Sequence, residues 1–396
     1  MSGRVDIHDY DARMARAEGL LRRGNPISRR NAELIEKFME HCISIGLSKA
    51  RVTRYAFALK KLAEFLGKDF DKATKEDIKE LVVKIESSDY SPWTKQIFKV
   101  TLKRFYKWLK GGDREYPEEV KWIKTTLSAR DRMLPEDLLT EEEIKAMVDA
   151  MHHPRDKAFI MTLYESGARI GELGSMRIKD VKFEEKYAVL MLKGKTGPRR
   201  VMVVVSVPYL RAWLEVHPLK DDPDAPLWVN IGTVNRFKAA SYPTLAKILK
   251  VAAKRAGIKK RVTPHILRHS RATFLASRLT EAQMCEIFGW VQGSKMPSIY
   301  VHLSGRDVDD AVLGIYGLKK SEEKEPKLKP KICPRCGTVN TPDAMFCSKC
   351  GLALDIKAAM QMEETKRRID AIMNKLMEDE EFRTFMMKKI QELGLV

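Results

Sequence analysis

The chain has 396 residues, enough for two or three domains with buried cores. Its 73 lysines and arginines against 54 aspartates and glutamates give a formal net charge of +19. That excess favours a polyanionic partner, nucleic acid first and an anionic membrane surface second. No apolar run of about 18 residues is present to span a bilayer, so no membrane insertion is expected. Residues 1–24 mix Asp, Arg and Glu without an apolar stretch, so they do not read as a secretory signal, and cytoplasmic residence is expected.

Residues 1–27 read as a charged arm, loose or partly helical, closed by Gly24, Asn25 and Pro26. Four amphipathic helical patterns occupy residues 28–112. The first starts at a Ser28 cap and stops at Gly46. The second carries Val52, Tyr55, Leu59 and Leu62 on one face and stops at Gly67. The third opens at Thr74-Lys-Glu-Asp77, an N-cap with carboxylates in the first turn, and the fourth at Ser91-Pro92. Lys49, Arg51, Arg54, Lys95, Lys99 and Lys103 lie between the apolar stripes. Each alone reads as solvated; as a set on one small domain they are candidates for tracking DNA phosphates.

Residues 113–139 lose period and read as a linker, with a short helix around Trp122. A second domain, 140–318, opens with the capping box Thr140-Glu-Glu-Glu143. Helices are expected at 140–152, 154–166, 208–217, 242–256, 264–278 and 280–288. Three short strands are expected at 178–183, 187–193 and 200–205. Residues 319–331 form a charged, proline-bearing tether expected to isolate the C-terminal segments from the core. Residues 355–396 are a Met-rich helical tail that breaks near Asp379, suited to a protein partner or to packing on itself.

Six cysteines are present. Four form two knuckles, Cys333-Pro-Arg-Cys336-Gly337 and Cys347-Ser-Lys-Cys350-Gly351. In a reducing compartment this spacing reads as four thiolates for a structural zinc ion in a ribbon at 332–354, rather than as disulfides. A closed set of four sulfurs leaves no open position for catalysis. Cys42 and Cys285 read as core residues.

A phosphodiester repels nucleophiles, so cutting one without a metal needs fixed positive charge around the phosphorus, a proton donor for the leaving oxygen and a nucleophile helped to lose its proton. The chain offers such groups on separate stretches: Arg169, Lys195 (favoured over the alternative Lys193 because it follows Gly194 at the turn), His265 and Arg268, Trp290, and Tyr300. Taken singly, each has an ordinary structural reading. Their joint order is specific.

That order, Ala168-Arg169-Ile-Gly-Glu-Leu173, Gly194-Lys195, His265-Ile-Leu-Arg268-His-Ser270, Gly289-Trp290 and Tyr300, resembles the signature of the tyrosine recombinases, or phage integrase family. With the appended ribbon, the chain looks most like archaeal site-specific integrases of that family. The resemblance covers roughly residues 28–318. It implies a mainly α multidomain fold: a four-helix SAM-like core-binding domain that clamps DNA, an α+β catalytic domain with a small three-stranded sheet, a C-terminal zinc ribbon and a helical tail. It implies strand cleavage and rejoining through a 3′-phosphotyrosyl intermediate on Tyr300, with no cofactor for the chemistry. Arg169 and Arg268 would clamp the phosphate, Lys195 would act as general acid, His265 would assist proton transfer, and Trp290 would donate its N–H and pack the site. Glu172 and His269 would support them from behind. The partner would be double-stranded DNA held by a tetramer, and the helix at 306–316 is where family members dock on a neighbour. Tryptophan rather than the commoner histidine stands at 290. A type IB topoisomerase and a DNA-binding regulator that has lost the chemistry are the rival readings.

Overall fold

In the computed structural model the described residues are 5–23, 26–111, 115–126, 135–194, 197–294, 296–303, 316 and 326–394. They fall into two compact units, one spanning residues 6–134 and the other built from residue 135 onward together with Val5. Among the described residues, no helix is long and apolar enough to cross a membrane.

The first unit contains α1 (Tyr10–Arg22), α2 (Arg29–Ser44), α3 (Lys49–Leu66), α4 (Lys75–Glu86), α5 (Pro92–Leu109) and α6 (Glu118–Lys121). The expected start signals operate. The Ser28 and Ser91 side chains accept from the amides three residues on, and Thr74 and Asp77 complete a reciprocal capping box. Phe38, Leu59, Leu62, Phe70, Ile78, Leu102, Phe105 and Tyr106 are buried together. The N-terminal arm is firmer than its charge suggests: α1 buries Ala17 and Leu21 in the same core. The segment after α5 likewise contributes Val120 and Ile123.

The second unit holds α7 (Glu141–Asp149), α8 (Pro154–Ser166), α9 (Ile170–Gly174), α10 (Val207–Glu215), α11 (Tyr242–Arg255), α12 (Pro264–Ala276), α13 (Glu281–Phe288) and α14 (Met296–Leu303). Its antiparallel sheet has the order β1 (Val181–Phe183), β2 (Ala188–Gly194), β3 (Gly197–Val203). Two strand starts differ from expectation by three residues. Residues 178–180 form a helical turn capped by Asp180, whose carboxylate accepts from the Arg177 amide at 2.9 Å. β3 starts at Gly197, three residues early, because Gly194 pairs with Gly197 in a tight hairpin. Buried Glu165 joins helix to sheet by accepting from the amides of Val204, Val205 and Ser206 at 2.7–2.9 Å.

The ribbon packs β4 (Lys331–Ile332) against β5 (Val339–Asn340). It is not held apart from the core as the tether's composition suggests. Leu328, flanked by Pro326 and Pro330, is buried in a groove lined by Met161, Tyr164, Val205 and Phe274. Lys145 on α7 lies 3.8 Å from Asp343 of the ribbon. One apolar residue on a charged segment finds an apolar slot, so net charge was a poor guide there. The tail forms two helices, Ile356–Glu378 and Glu380–Glu392, that break at Asp379, with Met360, Ile369, Ile372 and Leu376 exposed.

Candidate active site and metal centre

Arg169 sits where α8 ends and α9 begins. Gly167 closes α8 at φ +56°, and a Cβ there would meet the Phe288 ring at 2.4 Å, so glycine is required twice over. Arg169 then caps α9 and donates from Nη1 to Glu172 Oε1 at 2.8 Å, while its amide donates to Oε2 at 3.1 Å. Glu172 is buried, which would raise its pKa, but hydrogen bonds from Arg199 and Arg169 overcome that and hold it at about 2. Gly194 leaves room for it: a Cβ there would stand 2.5 Å from Glu172 Oε1.

Arg268 projects from α12 and is buried. Nη1 donates to the Gly167 carbonyl and Nη2 to the Phe288 carbonyl, both at 2.6 Å. Burial, and then the charge of Arg169, press its pKa below the ordinary value. Its guanidinium also lies over the Phe288 and Trp290 rings at 5.0 and 5.7 Å. These contacts fix one edge of the fork by backbone, which is how a cation is held ready for an anion.

Tyr300 on α14 is almost wholly buried in an aromatic stack. The Trp290 ring lies parallel to it, with centroids 5.3 Å apart and planes 5° apart, and Phe288 stacks beyond at 4.7 Å. The Tyr300 hydroxyl is hydrogen-bonded to Nδ1 of His269. Burial raises the phenol to about 12 despite the opposing charge of Arg268. Burial, then His265 and Arg268, lower His269 to about 4, so its imidazole is neutral at pH 7. His265 is one helical turn away, with ring centroids 6.4 Å apart, and presents an exposed face. Partial burial and the charges of Arg268 and Arg169 lower its pKa too.

Arg169, Glu172, His265, Arg268, His269, Trp290 and Tyr300 are therefore drawn together from α9 and its cap, α12, the end of α13, and α14. The phenol meets His269 rather than His265. Lys195 lies outside the described residues, as does the 306–316 helix apart from Tyr316; Lys193 points at Asp180, 3.8 Å away, and is exposed. Arg199 is a residue the sequence reading passed over. It lies on β3 opposite Leu192, is only 9% exposed, and donates from Nη2 to Glu172 Oε2 at 2.7 Å. Strand alternation was the available signal, since Arg199 shares the inward face of Val201 and Val203.

The sulfurs of Cys333, Cys336, Cys347 and Cys350 lie within 4.8 Å of one another. The Cys333–Cys350 and Cys336–Cys347 pairs are each 3.6 Å apart. A tetrahedral zinc with Zn–S of about 2.3 Å needs sulfurs about 3.8 Å apart, so the four thiols fit that ion. Gly337 and Gly351 take φ of +69° and +70° after each knuckle, letting their amides turn back to the Cys333 and Cys347 carbonyls at 2.9 Å. Buried Asn340 braces the second knuckle, donating to Cys347 Sγ and accepting from the Ser348 amide. Cys42 and Cys285 are buried core residues.

The six basic candidates of the first unit divide. Arg51 and Arg54 are exposed on α3. Lys49 pairs with Asp11. Lys95 donates to the Glu86 carbonyl at 2.6 Å and Lys99 to the Glu86 carboxylate at 2.7 Å. Lys103 donates to the Ile123 carbonyl at 3.0 Å and covers the Tyr116 ring.

Known proteins resemble this chain in sequence and in fold. The phage integrase family model matches residues 137–306, and a zinc-ribbon domain model matches residues 332–354. The tyrosine recombinase XerA of Pyrococcus furiosus is 28% identical over 284 residues, which is 71% of this chain and 93% of that protein. Among solved structures, the XerH site-specific recombinase in a post-cleavage complex with palindromic difH substrate shares the fold with a TM-score of 0.53. It is 19% identical, covering 78% of this chain and 99% of that one. A lambda integrase tetramer bound to a Holliday junction does so with a TM-score of 0.55. It is 15% identical, covering 70% of this chain and 78% of that one. Residues 137–306 thus form a phage integrase, or tyrosine recombinase, domain, and residues 332–354 a zinc ribbon C-terminal to it.

Proposed function

We propose that this recombinase cuts DNA with Tyr300 as nucleophile and Arg169 and Arg268 as the phosphate clamp. The observation that carries the reading is the convergence of the buried Tyr300 phenol, bonded to His269 and stacked on Trp290, with the backbone-anchored Arg268. In this reading the Tyr300 hydroxyl loses its proton to solvent with help from His265, its oxygen attacks phosphorus, the bond to the 5′ oxygen breaks, and a 3′-phosphotyrosyl link replaces it. The departing oxygen takes a proton from Lys195 and leaves as a 5′ hydroxyl. Two guanidiniums offset the charge that builds on the non-bridging oxygens, an effect worth several kcal/mol in a water-poor site. His265, which faces solvent where a phosphate would enter, assists proton transfer, and Trp290 packs the nucleophile. Rejoining is the same sequence reversed.

The partner is double-stranded DNA, tracked by basic residues of the first unit, with Arg51 and Arg54 the best placed. A tetramer is proposed by analogy with the lambda integrase tetramer. Zinc bound by the four cysteines would stabilise the ribbon. The exposed apolar side of the tail leaves it suited to a protein partner, as the sequence suggests. Relaxation of supercoils by monomers would instead favour the topoisomerase reading, and binding without adducts the regulator.

A nicked suicide substrate tests the chemistry on a denaturing gel, followed by peptide mapping of the adduct. Tyr300→Phe removes one oxygen and one hydrogen bond, worth about 1 kcal/mol. Folding and DNA binding should survive while the adduct disappears. An adduct on another residue, or one that persists in Tyr300→Phe, ends the assignment.

A further inference from the structure

Arg199 has no part in the attack by Tyr300 or in the phosphate clamp, yet it packs against the groups that hold the clamp arginines. Its side chain is 9% exposed. Nη2 donates to Glu172 Oε2 at 2.7 Å and Nε to the Ile287 carbonyl at 3.0 Å, while Nη1 is buried without a hydrogen-bond partner among the described residues. A buried cation with an N–H group left unpaired is a poor device for stabilising a fold. Its two partners explain its place better. Glu172 is shared: one carboxylate oxygen takes Arg199 and the other takes Arg169, whose side chain is 38% exposed. Ile287 precedes Phe288, whose carbonyl fixes Nη2 of Arg268. One guanidinium thus ties together the supports of both clamp arginines, and it does so from β3.

We propose that Arg199 is a positioning residue for strand cleavage, holding Arg169 through Glu172 and setting the α13 terminus against which Arg268 is braced. The proposal rests on the reading of Arg169 and Arg268 as the phosphate clamp. If Arg199 were only a staple between hairpin and helix, its loss would lower stability and act equally whatever stands at 169. As a positioning residue, it acts through Arg169 and its effect depends on that side chain.

The test uses the full chain and single-turnover cleavage of a nicked suicide duplex, with DNA affinity measured separately by fluorescence anisotropy. Arg199→Met should slow cleavage on the order of 100-fold, the loss expected for a catalytic group misplaced by about an ångström, with DNA affinity changed by less than about 3-fold. Arg199→Lys should lie between, roughly 10-fold slow, because an ammonium reaches Glu172 but cannot span both acceptors. The deciding comparison places Arg199→Met in an Arg169→Lys background that still cleaves measurably: there it should add less than about 3-fold. A full 100-fold loss in both backgrounds, or wild-type cleavage by Arg199→Met, overturns the proposal. If Arg199→Met fails to fold by circular dichroism, Arg199→Lys in the two backgrounds decides by the same criterion. Wild-type cleavage by Arg169→Lys and Arg169→Ala would instead overturn the clamp reading, and this outcome is seen without touching Arg199.

Discussion

The hydrogen bond between His269 and Tyr300 invites the inference that His269 is the general base, and the magnitudes argue against it. The phenol stands at about 12 and the imidazole at about 4. Burial makes the phenol a weaker acid and the imidazole a weaker base, so moving the proton between them is uphill in this arrangement. His269 therefore holds the hydroxyl as a neutral acceptor and orients the ring, and in the proposed reading the phenol waits for the DNA phosphate and the two arginines to complete the site. Two substitutions separate these roles. His269→Ala leaves a buried hydroxyl unpaired, which costs about 1–3 kcal/mol, and should slow single-turnover cleavage on the order of 100-fold by loosening the nucleophile. His269→Asn places an amide near the Nδ1 position and should stay within roughly 10-fold of wild type, although it has no useful basicity. The wild-type rate should also show no inflection assignable to His269 above about pH 5, because the imidazole is already neutral there. Cleavage by His269→Asn as poor as that of His269→Ala, together with loss of a wild-type inflection near pH 6.5, would refute the argument and make His269 the base.

Glu172→Gln should destabilise the second unit by about 3 kcal/mol at neutral pH, since it strands buried Arg199. The folded pKa of Glu172, about 2, lies below its ordinary 4.5. Its stabilisation is thus complete above about pH 4.5 and lost as pH falls toward 2, so the gap between wild type and variant should shrink in that window. Calorimetry reads this, and an equal gap at pH 3 and pH 6 would contradict it. Arg51→Ala and Arg54→Ala should each reduce the slope of log affinity against log salt by about 1, while Lys99→Ala and Lys103→Ala leave it unchanged; the reverse ranking in a salt titration would show the wrong face was chosen. Cys333→Ser should lower bound zinc, measured by mass spectrometry, and raise amide exchange over 331–352 and into α7 through the Lys145–Asp343 contact. Exchange that rises equally in α14 would mean that the ribbon supports the whole second unit.

The chemistry was more legible than its wiring, for a physical reason. Attack on a phosphodiester demands particular residue types, so Arg169, His265, Arg268 and Tyr300 announce themselves by kind and order. Helix period goes one step further: 265, 268 and 269 lie at i, i+3 and i+4, so one face of α12 carries all three. Period does not say which imidazole meets the phenol, because that depends on how α14 crosses α12, a tertiary choice made by the Phe288–Trp290–Tyr300 stack. Arg199 was hidden by a different conflict. Alternation along β3 places it inward with Val201 and Val203, but an inward arginine breaks the rule that buried positions are apolar, and a strand started one residue later hides the contradiction. The basic face failed in the opposite direction. Lys99 and Lys103 find their acceptors at Glu86 and at the carbonyl of Ile123, 13 and 20 residues away in the chain, which no local pattern reports. A lysine between apolar stripes looks free because its stem is long enough to hide its destination. An arginine that breaks a burial pattern is the more informative cation, since only a specific partner makes its burial tolerable, and here that partner is the carboxylate that also holds Arg169.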